Sequence, residues 1–256
     1  MQFSGGDAMS TQPVTSYSAV IEQLKQASAE GRIKQSTCEN AISWLKPSLA
    51  GISVGGEKIG DCIKRLVDTG AWHELDDRFY EVNRFGTAGV RGRLGIGTAL
   101  FNEIILGFGV EAHARYIDGE YAANGKDLGR EKAVILAYDS RTGSYDPSTK
   151  GAGFLVREAA GIYAAHGIRV YLFDSVAPTP ELSFAITELD HIRPYAGGVF
   201  TASHNPSSDN GFKPYDFYGG QIVHAAVQDI ADRINDYAEV RRLSYDEAVA
   251  RGLVEV

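Results

Sequence analysis

AVILAYDSR, residues 133–141, breaks the helical rhythm of the sequence before it and decides the fold class. An apolar run this short, ended by Asp139, Ser140 and Arg141, spells a strand buried on both faces. IRVYLF (168–173) and AGGVFTA (196–202) repeat the pattern. Between them the spacing predicts two helices. One covers 149–165, with Leu155, Ala159, Ile162 and Tyr163 inward and Gly167 at its end. The other opens at Pro178, where proline fits a first turn, and runs to about Leu189. Strand, helix, strand, helix, strand at this spacing is a βαβ framework, so the expected fold is a three-layer α/β/α domain with a mixed sheet. Ligands of such sheets collect at the carboxyl ends of the strands. Asp139, Ser140, Arg141 and Ser203 all fall just beyond predicted strand ends and are therefore treated as one site.

Outward from this centre, residues 1–16 are small and polar and are expected to be disordered. Helices are predicted from Ser18, with Val20, Ile21 and Leu24 on one face and Gly31 ending it, and over Thr37–Leu45, broken before Pro47. Two more are expected over Asp61–Leu66 and His73–Phe79, completing a small helical N-terminal extension. GISVGGEKIG (51–60) reads as a loop, and its glycines lack phosphate-loop spacing. A helix over Phe101–Ile117 follows, with Ile104, Ile105, Phe108 and Ala112 buried. GFKPYDFYGGQI (211–222) alternates around Pro214 and is expected at a sheet edge, because a central proline would cost a ladder hydrogen bond. A last helix is predicted over His224–Ala238, burying Val227, Ile230, Ile234 and Tyr237. The resulting division is 1–80 for tail and helical extension, 81–242 for the α/β domain, and 243–256 for a linker.

The 256 residues suffice for a sizeable core, and 44% hydrophobic with 23% charged is an ordinary globular composition. A net charge of -8 argues against a nucleic-acid partner, but a few cations can still build a pocket for a small anion. Cys38 and Cys62 have no metal-ligand spacing and read as free thiols of a reducing compartment. The N-terminus lacks a signal-peptide pattern, and no apolar run approaches the ~20 residues of a membrane span. The expectation is a cytoplasmic protein without a membrane partner.

Ser203 ends the third predicted strand in FTASHNP. A hydrolase nucleophile would need a GxSxG elbow, which is absent, and sequence neighbours rarely orient a histidine on a serine. A serine merely satisfied in a tight turn is the plain alternative. A serine carrying a phosphoryl group is the third, and it needs amide donors and nearby cations, which Lys213, Arg141 and Arg91 could supply. Each has its own plain reading: Lys213 as a surface lysine, Arg141 as a strand cap paired with Asp139. FGTAGVRG (85–92) could likewise be a mere connector, although Gly86, Gly89 and Gly92 permit close backbone approach. The remaining histidines make no ligand pair, and no metal-spaced cluster occurs.

Together FGTAGVRG (85–92), YDSR (138–141) and TASHNPSSDNGFK (201–213) resemble, in order, the signature loops of the alpha-D-phosphohexomutases. That superfamily includes phosphoglucomutases, phosphomannomutases and phosphopentomutases. The resemblance covers about residues 80–256, and LDDRFYEVNR before FGTAG is most similar to the phosphoglucomutase–phosphopentomutase branch. Ala88 stands where the glucosamine branch has aspartate. The resemblance implies that Ser203 is a phosphoserine that donates and re-accepts a phosphoryl group, and that its phosphate is one ligand of Mg²⁺. It implies catalytic roles for His204, Arg91 and Lys213, and phosphate or substrate contacts for Thr87, Arg141 and Asn205. Arg141 would also secure the serine loop. The implied reaction interconverts hexose 1-phosphate and 6-phosphate through a sugar bisphosphate, which also serves as activator. The family is built of four domains and is about twice this length. Its aspartate-rich metal loop, Gly-Glu-x-Ser-Gly sugar loop and C-terminal phosphate loop do not occur here. The chain is therefore expected to be the catalytic-serine domain alone, inactive or nearly so by itself; the alternative is a non-catalytic single domain that keeps the fold and weak phosphosugar binding.

Overall fold

In the computed structural model, residues 17–256 are described, apart from 87–88, 190, 223–224 and 235. The expectation of disorder over 1–16 lies outside them, as do Thr87 and His224.

The N-terminal layer is helical, as expected: α1 (Ser18–Ala29), α2 (Gln35–Trp44), α3 (Pro47–Ala50), then α4 (Ile59–Asp68) and α5 (Trp72–Phe79). Pro47 starts α3, a first-turn position where its missing N–H costs nothing. The stretch 51–60, read as a loop, contains a small hairpin, β1 (Ser53–Val54) paired with β2 (Glu57–Lys58). The alternation of polar and apolar residues there is too short to register as a strand pattern.

The sheet is formed by β3 (Val90–Arg93), β4 (Glu131–Tyr138), β7 (Arg169–Leu172), β8 (Pro194–Phe200), β9 (Asp209–Tyr215) and β10 (Val254–Glu255). Between β4 and β7 lies a short ribbon, β5 (Tyr145–Asp146) with β6 (Gly151–Ala152). The strand order is β10-β7-β4-β8-β9-β3, parallel from β10 to β8 and antiparallel at both β9 pairings, so the sheet is mixed. Helices α6 (Glu103–Glu120), α7 (Phe154–Ala165) and α9 (Ala225–Arg233) cover one face, and α8 (Thr179–Glu188) covers the other. Strand β4 shows why its sequence is continuously apolar. Val134, Leu136 and Tyr138 enter the larger core, and Ala133, Ile135 and Ala137 the smaller one under α8. The larger core runs without a break into the N-terminal helices, from Leu24 and Ile63 to Leu106 and Tyr163.

Four expectations are corrected. Helix α7 begins at Phe154 rather than 149, because 145–152 are spent on the β5–β6 ribbon. The last predicted helix stops at Arg233, and a separate 3₁₀ turn, Tyr237–Glu239, is started by Asp236 accepting from the Ala238 amide. Pro214 sits on β9, inside the sheet rather than at its edge. Its carbonyl accepts from the Ile222 amide, so its backbone edge faces away from β8, and the missing N–H removes no β8 bond. Finally, residues 243–256, expected as a linker, fold as α10 (Tyr245–Ala250) and β10, which pairs in parallel with β7. Among the described residues, no helix is long and apolar enough to cross a membrane.

Candidate active site

From β4 the chain moves through α7 to β7 on one side, then returns through α8 to β8 on the other. The carboxyl ends of β4 and β8 therefore flank the point where strand order reverses, where a crevice opens in such sheets. Asp139–Arg141 leave one end and Thr201–Ser203 the other.

Strands β8 and β9 form a hairpin whose connection, 201–208, is the serine loop. Phe200 pairs with Phe212, and Phe212 pairs with Val90 of β3; all three point into the larger core. By alternation the next row, Thr201, Gly211 and Arg91, faces the opposite way, as does Lys213 two residues along β9. Arg91 and Lys213 thus flank a glycine. A Cβ at Gly211 would come within 2.7 Å of the Val90 carbonyl oxygen and the Arg91 Cβ, so the strand approach requires its absence. The FGTAGVRG loop is equally close: Gly86 and Gly89 exchange both backbone hydrogen bonds, and Gly89 has φ +104° with the Phe212 carbonyl against it.

Ser203 is exposed and has φ +57°, a left-handed conformation that costs a residue with a β-carbon about 1–2 kcal/mol. Three contacts hold it there. Its amide donates to Thr201 Oγ1 (2.9 Å), its carbonyl accepts from Arg141 Nη2 (2.9 Å), and its Oγ accepts from Lys213 Nζ (2.8 Å).

Arg141 uses all five of its N–H donors. Nε donates to Asp139 Oδ2 (3.0 Å), while Nη1 and Nη2 donate to the carbonyls of Pro206, Asp209, Ser203 and Asn205. With every donor engaged within the chain, Arg141 ties the serine loop to the end of β4, and the strand-cap pairing with Asp139 is the geometry observed. Asn205 is likewise engaged within the loop, donating to Asp209 Oδ2 at 3.0 Å. His204 is exposed, and neither its imidazole nor its amide has a hydrogen-bond partner among the described residues. Thr87 lies outside the described residues.

Thr201 and Asn210 escaped the sequence reading. Asn210 is fully buried, and its side-chain amide donates to the Thr142 carbonyl (2.8 Å) and Ser144 Oγ (2.7 Å), joining the serine hairpin to the turn after β4. Both residues lie inside the quoted motif, but nothing in the sequence says which of its polar residues turn inward. A cavity of about 220 Å³ lies elsewhere, between the helical layer and α6, with Trp44, Phe85 and Phe108 in its wall and none of the serine-site residues. Ser203 and His204 are exposed on the shelf formed by the ends of β4 and β8.

The residues here do not by themselves fit a resident Mg²⁺. Among the described residues no three His, Cys, Asp or Glu approach one another closely enough to hold a metal ion. Asp139 and Asp209, the carboxylates of this region, are engaged by Arg141 and Asn205.

Residues 82–241 match the family described as phosphoglucomutase/phosphomannomutase, alpha/beta/alpha domain I. The chain belongs to this family. Human phosphopentomutase is 29% identical over 86% of this chain and 33% of its own length. A phosphoglucomutase from Staphylococcus saprophyticus is 31% identical over 68% of this chain and 28% of its own. Mouse glucose 1,6-bisphosphate synthase is 30% identical over 70% and 27%. The chain thus spans about a third of the length of the curated relatives it matches. The matched region holds the whole serine shelf, from Gly86 to Lys213.

Proposed function

We propose that this chain is the nucleophile-bearing part of a phosphosugar mutase, with Ser203 as the group that accepts and returns the phosphoryl. The observation that carries the reading is the ammonium of Lys213, 2.8 Å from Ser203 Oγ, at the reversal point of an α/β sheet. Oγ attacks the phosphorus of a sugar phosphate, the bond from phosphorus to the sugar oxygen breaks, and the serine proton is passed to that oxygen so that an alcohol leaves. In the return step the Oγ–P bond breaks. A cation donating to Oγ stabilises charge on that oxygen in both directions, and Arg91 on the same face adds a second positive charge. The His204 amide beside Ser203, without a hydrogen-bond partner among the described residues, is available as a donor for a phosphoryl oxygen.

Interconversion of hexose 1-phosphate and 6-phosphate is the proposed parent activity. Phosphopentomutase activity is the second reading, favoured by the relative that covers 86% of this chain. We propose also that this chain by itself takes a phosphoryl on Ser203 but does not complete the isomerisation, since the described residues supply cations but no three carboxylate, histidine or cysteine groups that could hold a metal ion.

The test is intact-mass analysis after incubation with glucose 1,6-bisphosphate and Mg²⁺. A gain of one phosphoryl mass is expected in the wild type and not in Ser203→Ala. Lys213→Met is expected to slow the gain about 100-fold or more, the scale of losing one oxyanion-stabilising donor. Label on a residue other than Ser203 would overturn the reading.

A further inference from the structure

We propose that Thr201 is the positioning residue that holds Ser203 in its reactive pose, through Oγ1 accepting the Ser203 amide at 2.9 Å. The inference deepens the phosphoryl-carrier reading of Ser203 and rests on it.

The three contacts on Ser203 come from three directions and differ in stiffness. Arg141 and Lys213 reach it with long side chains, from the end of β4 and from β9. Thr201 reaches it with a short, β-branched side chain whose χ1 is restricted and which is only 8% exposed. Its backbone is also fixed, because the Thr201 amide donates to the Gly211 carbonyl at 3.0 Å. The hydroxyl of residue i accepting from the amide of i+2 is a local turn that bends the chain directly after β8. A left-handed residue other than glycine persists only where its surroundings over-determine it. Without the Oγ1 acceptor, Ser203 is free to relax to negative φ, which swings Oγ away from Lys213 Nζ.

The same contact decides which amide meets the incoming group. The Ser203 N–H is taken by Thr201, whereas the His204 N–H has no partner among the described residues. Thr201 touches no reacting atom; it sets the direction of Oγ and leaves the His204 amide as the donor beside it.

Two substitutions separate the hydroxyl from the side-chain shape. Thr201→Val keeps the branched outline and removes the acceptor, and Thr201→Ser keeps the acceptor and loses the methyl. Two readouts are made on the 256-residue chain. One is the rate of phosphoryl gain at Ser203 from glucose 1,6-bisphosphate with Mg²⁺, and the other is amide hydrogen exchange at Ser203 by NMR, normalised to that of Val134–Leu136 in β4. Thr201→Ser is expected within about threefold of wild type in both. Thr201→Val is expected to slow phosphoryl gain roughly 10- to 100-fold, the scale of an ångström-level misplacement. It is also expected to raise the normalised Ser203 exchange about tenfold or more, as a lost amide partner requires. Wild-type values of both quantities in Thr201→Val would overturn the proposal, as would Thr201→Ser failing alongside it. If the wild type gains no phosphoryl mass, the carrier reading has failed, and the exchange ratio alone then decides whether Thr201 fixes Ser203.

Discussion

Replacing Arg141 distinguishes a staple from a phosphate ligand, because the two roles fail differently. Its side chain is 13% exposed and bonds one carboxylate and four carbonyls. In Arg141→Ala, the carbonyls of Ser203 and Pro206 face solvent and are rehydrated. Those of Asn205 and Asp209 are part-buried, as is the Asp139 carboxylate at 31% exposure. Losing the partner of three such groups at about 1 kcal/mol each, with the ion pair discounted for solvent screening, gives about 3 kcal/mol. At roughly 2–4 °C per kcal/mol for a chain of this size, the melting temperature should fall by about 6–12 °C. Arg141→Lys recovers the carboxylate and one part-buried carbonyl and should lose about a third as much, since one ammonium cannot span a fork of acceptors. Thermal denaturation measures the loss, and limited proteolysis reports whether 203–208 has come free. A melting temperature within about 2 °C of wild type, a protected loop and weakened phosphate binding would refute the staple and restore the ligand role.

Other expectations follow from the same geometry. Ser203→Gly should be more stable than Ser203→Ala by about 1 kcal/mol, since only alanine bears the left-handed penalty at φ +57°; chemical denaturation of the pair measures it. Gly211→Ala should destabilise by about 2–4 kcal/mol, because its Cβ meets the Val90 carbonyl at 2.7 Å and must part β3 from β9; urea midpoints test this. His166, buried at the end of α7, meets Asp118 Oδ2 at 2.8 Å and Glu111 Oε2 at 3.0 Å, with Arg115 and Lys132 on the outer sides of the two carboxylates. Burial alone would lower its pKa, but the hydrogen bonds to Glu111 and Asp118 outweigh burial and the net shift is upward. Its stabilising contribution should therefore be complete below about pH 6.5, the unfolded value, and be lost as pH rises through the raised folded value. The stability deficit of His166→Gln should shrink from pH 6 to pH 9, and a deficit that is flat or grows would contradict the assignment.

Much of this was readable in the residues. Continuous apolarity in 133–138 and 196–202 reports burial on both faces, which alternating strands never show, and it placed the strand ends that carry Asp139 and Ser203. The Lys213–Ser203 contact followed from motif resemblance, and β-alternation explains it afterwards. What failed did so for definable reasons. Pro214 argues for an edge only if its N–H side faces a partner, and which side it faces depends on register that no local pattern encodes. For Arg141 the sequence left both readings open, because a guanidinium surrounded by carbonyls has the same sequence signature as one that meets phosphate. Thr201 and Asn210 act through inward-turned polar atoms, and inwardness is a property of the assembled hairpin and turn.

The parallel pairing of β10 with β7 separates the physical unit from the matched one. The match to the domain I family model ends at residue 241, yet the Val170 amide of β7 finds its acceptor in the Leu253 carbonyl at 2.8 Å, and the Leu243 amide donates to Gly161 inside α7. A chain cut after Arg242 would retain every residue of the serine shelf and leave β7 as a bare, apolar margin open to strand addition from another molecule. Residues 243–256 thus belong physically to the sheet, covering the margin of β7 that the serine shelf itself does not need.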